Sequence, residues 1–297
     1  MNQTQFIIKL YGGLGNQMFQ YALGRTLSLR FGCELKVDIS AFTAQRNAEH
    51  PRPYLLPLFP LTLPETTQQE LLPFQEKLYQ KIWRKLVGRR IYAKNYIREP
   101  HYSYWDGIRS INAPAMLDGY WQSERYFLDC AEQIKKDFTF PPLPDASLFM
   151  AEKIINSPQA VAVHVRRGDY LFQDNHALHG TCNRQFYKTS LQYIQKQISL
   201  PLEIFLFSDD IAWCKNNFDP CGLTIIFVDL HSESQGYYAM HLMSLCKHYI
   251  IANSSFSWWG AWLGEQKESV ICAPAVWFSG EPEKGNPSPE RWMRMQG

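Results

Sequence analysis

Apolar and polar residues alternate along this chain in short blocks, and the blocks form two series separated by prolines. The first series predicts a strand over residues 6–10, a helix over 16–30 that ends at Gly32, and a strand over 34–40. Residues 41–75 are rich in proline and polar residues and predict surface excursions. A second helix is expected over 123–138, with Ser123 as its N-cap. The chain therefore opens with a β-α-β unit.

Three prolines within residues 141–144 interrupt this pattern and predict a domain boundary. We expect a first domain over residues 1–140 and a second over 141–297. The second series predicts strands over 160–165, 203–208, 223–229, 248–254 and 269–275, and helices over 185–197, 210–217, 237–246 and 256–266. Short apolar strands separated by helices are typical of a parallel sheet covered on both faces. The expected fold class is α/β, with two domains and a cleft between them.

Composition then excludes several classes of protein. Hydrophobic residues make up 45% and charged residues 20%, as in soluble globular proteins, and the net charge of +2 argues against a dedicated nucleic-acid binder. The seven cysteines form no C-x-x-C pair and no zinc-like cluster, which is typical of a reduced cytoplasmic protein. The first residues lack a signal-peptide pattern, and no apolar run reaches the roughly 18 residues of a membrane span. We expect a soluble, cytoplasmic protein that binds no nucleic acid.

A glycine-rich turn, 11-YGGLGNQ-17, joins the first predicted strand to its helix. Gly13 and Gly15 match the first two glycines of the G-x-G-x-x-G dinucleotide motif, but Met18 stands where the third should be. Asn16 and Gln17 instead place two amides at the helix start, where they suit a hydroxyl-rich ligand better than a pyrophosphate. A tight turn with no ligand and a dinucleotide site both remain as alternatives.

The stretch 161-VAVHVRRGDY-170 places charged residues at the carboxyl end of a buried strand, where open α/β sheets bind ligands. His164 and Arg166 share one face of this strand, since alternate side chains point the same way. A guanidinium matches phosphate geometry with paired donors, and Asp169 is expected to orient one arginine. Arg167 is expected to pair with Asp169 or with a helix. The alternative is a structural ion pair with no ligand.

Two further strand ends carry polar residues. Ser254 and Ser255 follow one strand and begin a helix, whose N-terminal N–H groups favour an anion; together with Arg166 they indicate a diphosphate site. Asp209 and Asp210 follow another strand, and each is expected either to bind a base or sugar or to cap the next helix, with capping expected for one of them. The pair is not a D-x-D motif, and we predict no metal site.

These stretches together resemble the α-1,2-fucosyltransferases of glycosyltransferase family eleven, in their bacterial form. His164, Arg166, Arg167 and Asp169 match the wider fucosyltransferase pattern H-x-R-R-x-D. Residues 241–263, HLMSLCKHYIIANSSFSWWGAWL, resemble the third motif of the bacterial members. Residues 12–25 and 118–127 also resemble this family, so the likeness extends over nearly the whole chain.

The resemblance implies two Rossmann-like domains of the GT-B type, with acceptor binding by the first and GDP-L-fucose binding by the second. It implies metal-independent transfer of fucose, with inversion and no cofactor, to the 2-hydroxyl of a terminal β-galactoside. Arg166 would hold the β-phosphate and His164 would line the nucleotide pocket. The implied catalytic residues are Arg166, His164 and Asp169. The implied donor-binding residues are His164, Arg166, Ser208, Asp209, Asn253, Ser254, Ser255 and Phe256. The implied sugar loop comprises Gly13, Gly15, Asn16 and Gln17.

One position departs from the family pattern. Ala239 lies two residues before His241, where related fucosyltransferases often carry an acid implicated in guanine recognition. Guanine contacts must then come from Asp229, Glu233 or backbone groups. Two alternatives also remain for the function: a fucosyltransferase of another linkage or acceptor, and a nucleotide- or glycan-binding module without catalysis.

Residues 76–98 form a strongly basic segment, with eight Lys or Arg and one Glu, a net charge of +7. The preferred interpretation of this charge is a solvated basic helix packed on the N-terminal domain. A second interpretation is an amphipathic helix on an anionic membrane, which would place the protein at the inner membrane face and suit a lipid-linked acceptor. Equal binding to neutral and anionic vesicles would exclude the second interpretation.

We expect transfer activity to persist in excess chelator, because the chain offers no D-x-D motif and no His/Cys ligand cluster. Arginine, helix N–H groups and hydroxyls would then neutralise the leaving diphosphate. The measurement is product formation with and without EDTA. Loss of activity that Mn²⁺ or Mg²⁺ restores would contradict this expectation.

Overall fold

The computed structural model describes residues 4–45, 51–75, 80, 85–86, 92–167, 182–229, 236–278 and 281–296. The chain divides into two compact units, Met1–Thr139 and Phe140–Gly297, called unit 1 and unit 2 below. Asp169 and Glu233, both expected at the site, lie outside the described residues, as does most of the basic segment 76–98. Membrane contact by that segment therefore stays a prediction. None of the described helices combines the length and the hydropathy needed to cross a bilayer.

Unit 1 is built on a four-stranded, fully parallel sheet in the order β2-β1-β4-β3. Its strands are β1 (Gln5–Lys9), β2 (Glu34–Asp38), β3 (Tyr96–Arg98) and β4 (Ala115–Asp118), and its helices are α1 (Leu14–Phe31), α2 (Ser40–Ala44), α3 (Gln68–Leu71) and α4 (Ala131–Asp137). The predicted β-α-β start is confirmed. Helix α1 ends where Gly32 adopts the left-handed conformation (φ 61°), which glycine reaches without steric cost.

The helix predicted over 123–138 is only partly present. Ser123 accepts a hydrogen bond from the backbone of Arg125, but short 3-10 turns over Glu124–Tyr126 and Leu128–Cys130 replace the first half of the helix, and α4 begins at Ala131. Tyr126 and Phe127 are adjacent, yet both are almost fully buried. An unbroken helix with one buried face would not bury two such neighbours equally well, so burial overrides the local helical pattern.

Unit 2 contains a six-stranded parallel sheet in the order β10-β9-β8-β5-β6-β7. Its strands are β5 (Gln159–Val165), β6 (Leu202–Ser208), β7 (Thr224–Val228), β8 (His248–Ile250), β9 (Ile271–Pro274) and β10 (Met293–Met295). Its helices are α5 (Asp145–Asn156), α6 (Arg184–Gln197), α7 (Ile211–Asn217), α8 (Gly236–Ser244) and α9 (Ser255–Gly264). The five strands and four helices predicted here are confirmed, although β8 ends at Ile250 and not at residue 254 as predicted. Helix α5 and strand β10 were not predicted.

Both faces of the central strand β5 are buried. Val161, Val163 and Val165 belong to one core cluster that includes Leu191 and Ile194 of α6. The side chains between these valines, His164 among them, point to the other face and are buried as well. Strands that are buried on both faces are usually apolar along their whole length. The polar His164 near the end of β5 is an exception, and its surroundings are described with the site below.

Candidate functional site

The strand order of unit 2 reverses beside β5. From β5 the chain proceeds to β6 and β7 on one side, and then returns to β8, β9 and β10 on the other. In open α/β sheets, ligands bind outside the carboxyl ends of the strands at such a reversal point. The segments that follow β5, β6 and β8 lie at this edge, and they carry most of the site residues expected in unit 2.

Arg166 is the first residue beyond β5, and its side chain is held by the neighbouring strand end. Its Nη1 lies 3.0 Å from Oδ2 of Asp209, which follows β6. The other carboxylate oxygen of Asp209, Oδ1, accepts a 2.9 Å hydrogen bond from the backbone N–H of Arg167. Asp209 therefore fixes both the guanidinium and the backbone at the end of β5. The sequence analysis expected Asp169, which lies outside the described residues, to orient an arginine. It did not assign this orienting role to Asp209.

Arg167 points to a different set of partners. Its Nε lies 3.4 Å from Oδ2 of Asp210, and its guanidinium carbon lies 3.7 Å from the centre of the Trp213 ring. Asp210 is also the N-cap of α7, where its Oδ1 accepts a 3.0 Å bond from Trp213 N. Arg167 thus pairs with a helix, one of the two expected alternatives, and Asp210 is the capping member of the acid pair.

His164 is buried in the sheet, with only 4% of its surface exposed. Burial, and secondly the positive charge of Arg166, lower the pKa of its imidazole to about 3. The ring is therefore neutral near pH 7. Its Nδ1 has no partner among the described residues. The ring centre lies 5.7 Å from that of Phe256.

The start of α9 faces the same edge, as the contact between His164 and Phe256 shows. Ser254 is the N-cap in extended conformation, and its side chain makes no capping bond. The first intrahelical bond runs from Trp258 N to Ser254 O, so the amides of Ser255, Phe256 and Ser257 precede it. Such amides attract anions through their N–H groups and the helix dipole. Ser255 and Phe256 are half-buried.

Two residues expected to bind the donor, Asn253 and Ser208, make hydrogen bonds within the protein. The Asn253 side chain is buried, its Nδ2 donates to Trp277 O at 3.1 Å, and its Oδ1 accepts from Cys182 Sγ at 3.8 Å. The hydroxyl of Ser208 accepts a 3.0 Å bond from Asp210 N at the start of α7. These bonds hold the loops in place, which is why polar residues recur at these strand ends.

The residues at and near the expected guanine-binding positions contact other protein groups. The His241 ring stacks on Phe140, with centres 4.6 Å apart and planes at 6°, and burial lowers the pKa of His241. Ala239 lies in the same helix, α8. Asp229 Oδ2 lies 3.9 Å from Lys215 Nζ. None of these contacts identifies a base-binding group.

In the glycine-rich turn of unit 1, the side-chain amides of Asn16 and Gln17 have different surroundings. Gln17 is fully buried, donates to the carbonyls of Gly12 and Pro53 at 2.9 Å each, and accepts from Leu55 N at 2.9 Å. The expectation that Gln17 faces a sugar is therefore wrong for this structure, because its amide ties the turn to residues 53–55. The backbone carbonyl of Gly13 starts helix α1, and Gly15 is buried within it.

Asn16 remains half-buried at the surface of the turn. Its Oδ1 accepts a 2.8 Å bond from Nε2 of Gln122, which follows β4. Gly12 beneath it has a φ of 80°, and a Cβ on Gly12 would lie only 2.7 Å from Asn16 Nδ2. Sequence reasoning missed Gln122, although Gln122 lies in the motif 118-DGYWQSERYF-127 that resembles the family.

Comparison with models of known protein families identifies the family of this chain. The model of the family described as glycosyl transferase family 11 matches residues 54–293. The chain belongs to glycosyl transferase family 11. The resemblance found in the sequence motifs is thereby confirmed, and this family 11 member is a glycosyltransferase.

Individual relatives cover much of the chain. An α-1,2-colitosyltransferase of Escherichia coli is 32% identical over 302 residues, which cover 98% of this chain and 98% of that protein. Galactoside α-(1,2)-fucosyltransferase 2 of Pongo pygmaeus is 26% identical over 264 residues, covering 86% of this chain and 68% of that protein. A solved structure of mutant Arabidopsis thaliana FUT1 with GDP matches with a TM-score of 0.51 at 14% identity, covering 91% of this chain and 70% of that one. The family 11 chain has the GT-B fold.

The two neighbouring glycines of the turn give a direct test of its geometry. We expect Gly12→Ala to lower the free energy of unfolding by about 1–2 kcal/mol, because an L-residue resists positive φ and its Cβ would displace the Asn16 amide. Gly13→Ala is the matched control, since φ is −74° there and nothing lies within 4 Å of its Cβ. Urea unfolding of both variants measures the difference, and equal losses would contradict this account of Gly12.

Proposed function

We propose that this family 11 glycosyltransferase transfers L-fucose from GDP-L-fucose to the 2-hydroxyl of a terminal β-galactoside. The first domain would contribute the acceptor-binding groups and the second would bind the donor. The observation that carries the proposal is that Arg166 and the N-terminus of α9 lie at the same edge of the unit 2 sheet, at the point where the strand order reverses.

The charges at this edge suit a nucleoside diphosphate. A guanidinium has five N–H donors in a planar fork, so it can bind a carboxylate with one edge and phosphate oxygens with another. Asp209 would orient Arg166 for this contact, and the amides at the start of α9 would bind the same diphosphate. As the glycosidic bond to the donor breaks, negative charge grows on the diphosphate. Groups already directed at it stabilise that charge without reorganisation.

The names of the relatives support an α-1,2 linkage in the product more firmly than they support fucose as the transferred sugar. The bacterial relative is an α-1,2-colitosyltransferase and the primate relative is a galactoside α-(1,2)-fucosyltransferase, so both names include an α-1,2 linkage. We assign the galactoside acceptor from the second name and from the motifs in residues 12–25 and 118–127. A lipid-linked form of that acceptor is compatible with the basic segment 76–98.

Colitose is the second candidate donor sugar, and the coverage of the colitosyltransferase relative favours it. Colitose is L-fucose without its 3-hydroxyl, so the two donors differ in one polar group. A site that hydrogen-bonds a hydroxyl rejects the analogue lacking it by about 10⁴-fold, whereas an apolar site rejects an added hydroxyl by only about 10²-fold. The direction and the size of the preference therefore identify the donor.

The donor experiment measures kcat/KM for GDP-fucose and GDP-colitose with a β-galactoside acceptor, and determines the product linkage by NMR. We expect GDP-fucose to be preferred by about 10⁴-fold, because its 3-hydroxyl would satisfy a buried polar group. A preference of about 10²-fold for GDP-colitose would establish the second candidate. Absence of transfer from both donors would contradict both.

The two arginines are expected to differ in function. Arg166→Lys keeps the charge but loses the two-point contact, so we expect kcat to fall about 10²- to 10³-fold while the donor KM changes less. Arg167→Lys is the matched control, because Arg167 lies over Trp213 and beside Asp210. We expect it to lower the melting temperature and to leave most of the turnover of the folded protein.

Steady-state kinetics and thermal melts on both variants make the measurement. Near-normal turnover of Arg166→Lys, together with loss of turnover in a well-folded Arg167→Lys, would show that the two roles are reversed. Asp209→Asn adds a check on positioning. Its amide can accept only one of the two bonds that the carboxylate now accepts, so it should also lower kcat.

A further inference from the structure

Two loops at the carboxyl edge of the unit 1 sheet are held together by side-chain amides. Residues 10–13 follow β1, and residues 119–122 follow β4, its neighbour in the sheet. Gln20 is fully buried between them, where its Oε1 accepts from Tyr11 N at 3.1 Å and its Nε2 donates to Gly119 O at 3.2 Å. The bond between Gln122 and Asn16 is a second bridge. The two loops therefore form one fixed surface.

The second loop is held in an unfavourable conformation. Trp121 has a φ of 55°, a left-handed value that an L-residue with a bulky side chain rarely adopts. Glu99, directly after β3, accepts hydrogen bonds from the backbone N–H groups of Tyr120 at 2.7 Å and Trp121 at 2.9 Å. Strained backbone that is held by several bonds is concentrated at ligand-binding sites. This carboxylate sets the position of Tyr120.

Tyr120 belongs to a group of three aromatic rings, Tyr11, Tyr102 and Tyr120, called here the tyrosine cluster. The Tyr102 and Tyr120 rings are stacked with centres 6.0 Å apart, and the Tyr11 ring meets Tyr120 edge-on at 5.0 Å. All three side chains are half-buried. Burial, more than the nearby carboxylates, raises the pKa of the Tyr11 and Tyr120 hydroxyls, so both rings stay neutral.

The amide bridge uses only one polar atom of each of its two residues. Gln122 donates one bond to Asn16 Oδ1, and within the described part of the chain neither Asn16 Nδ2 nor Gln122 Oε1 has a hydrogen-bond partner. Both residues are only half-buried, and neither atom is among the buried polar atoms that lack a partner in the described part of the chain. Together they present one donor and one acceptor. A vicinal pair of sugar hydroxyls can bond to both at once, since each hydroxyl donates and accepts.

We propose that unit 1 contains a galactopyranoside-binding site formed by the Asn16–Gln122 amide pair and the tyrosine cluster. The amides bind neighbouring hydroxyls, and an aromatic ring packs against the apolar face that the axial 4-hydroxyl of galactose leaves open. Glu99 and Gln20 act as positioning residues, because they hold the loops and make no contact with the sugar in this scheme. The assignment of the sugar rests on the proposed function, whereas the site itself is formed by unit 1 alone.

The test measures the binding of methyl β-D-galactopyranoside to the full chain, without any nucleotide. Binding is detected by saturation-transfer NMR, and the sugar concentration is raised up to its solubility limit. We expect Asn16→Ala and Gln122→Ala to weaken binding about 3- to 10-fold each, the usual effect of one hydrogen bond. Tyr120→Ala is expected to weaken it about 10-fold through lost ring contact. Thermal melts show whether each variant is folded.

Asn95→Ala is the matched control. Asn95 precedes β3 at the opposite edge of the same parallel sheet, where its Nδ2 donates to Pro114 O at 2.8 Å. Galactoside binding should be unchanged in that variant. No saturation transfer in the wild-type protein would overturn the proposal, and so would equal binding by Asn95→Ala, Asn16→Ala and Gln122→Ala.

The result is independent of the donor experiment. Galactoside binding that the two amide variants weaken, without transfer from either GDP-sugar, would leave the site intact and refute the proposed function. Transfer to galactosides that Asn16→Ala and Gln122→Ala leave unchanged, in KM as well as kcat, would do the reverse.

Discussion

The carboxylate of Asp209 fixes the end of β5, and the site of unit 2 depends on that end. One oxygen binds the guanidinium of Arg166 and the other binds the backbone N–H of Arg167. Because β5 and β6 are paired up to Val165 and Ser208, the acid at the end of β6 lies beside the first residues beyond β5. Without it, the charged side chain of Arg166, next to the neutral His164, would lose a partner that offsets its desolvation. The direction of Arg166 is thus set by the register of two strands.

Both units follow the same building rule. In each, polar and aromatic side chains collect where parallel strands end, since backbone groups leave the ladder there and need other partners. Unit 2 satisfies them with carboxylate and hydroxyl oxygens from Asp209, Asp210 and Ser208. Unit 1 satisfies them with the amides of Gln17 and Gln20 and with the carboxylate of Glu99. The arginines at the edge of unit 2 suit a diphosphate, and the amides and aromatic rings at the edge of unit 1 suit a sugar.

The sequence predicted the α/β class and the elements of unit 2 well, because short apolar strands alternate there with amphipathic helices. It predicted less of unit 1, where β3 and β4 are short and the adjacent buried rings of Tyr126 and Phe127 override a helical pattern. In the site, strand periodicity was enough to separate Arg166 from Arg167. It could not show that Gln17 is buried or that Asp209 holds Arg166, because those contacts join residues about 40 positions apart in the chain.

The strand order of unit 2 also determines where residues can be inserted or deleted without disturbing the site. β5 pairs with β8, and the chain between them leaves the site through β6 and returns only after β7 and α8. Once the ends of such an excursion are fixed, doubling its length costs only about 0.6 kcal/mol of closure entropy. Insertions and deletions on the far side of β7 therefore leave the paired strand ends in register. The outer part of this unit can thus change in length while the edge beside β5 keeps its geometry.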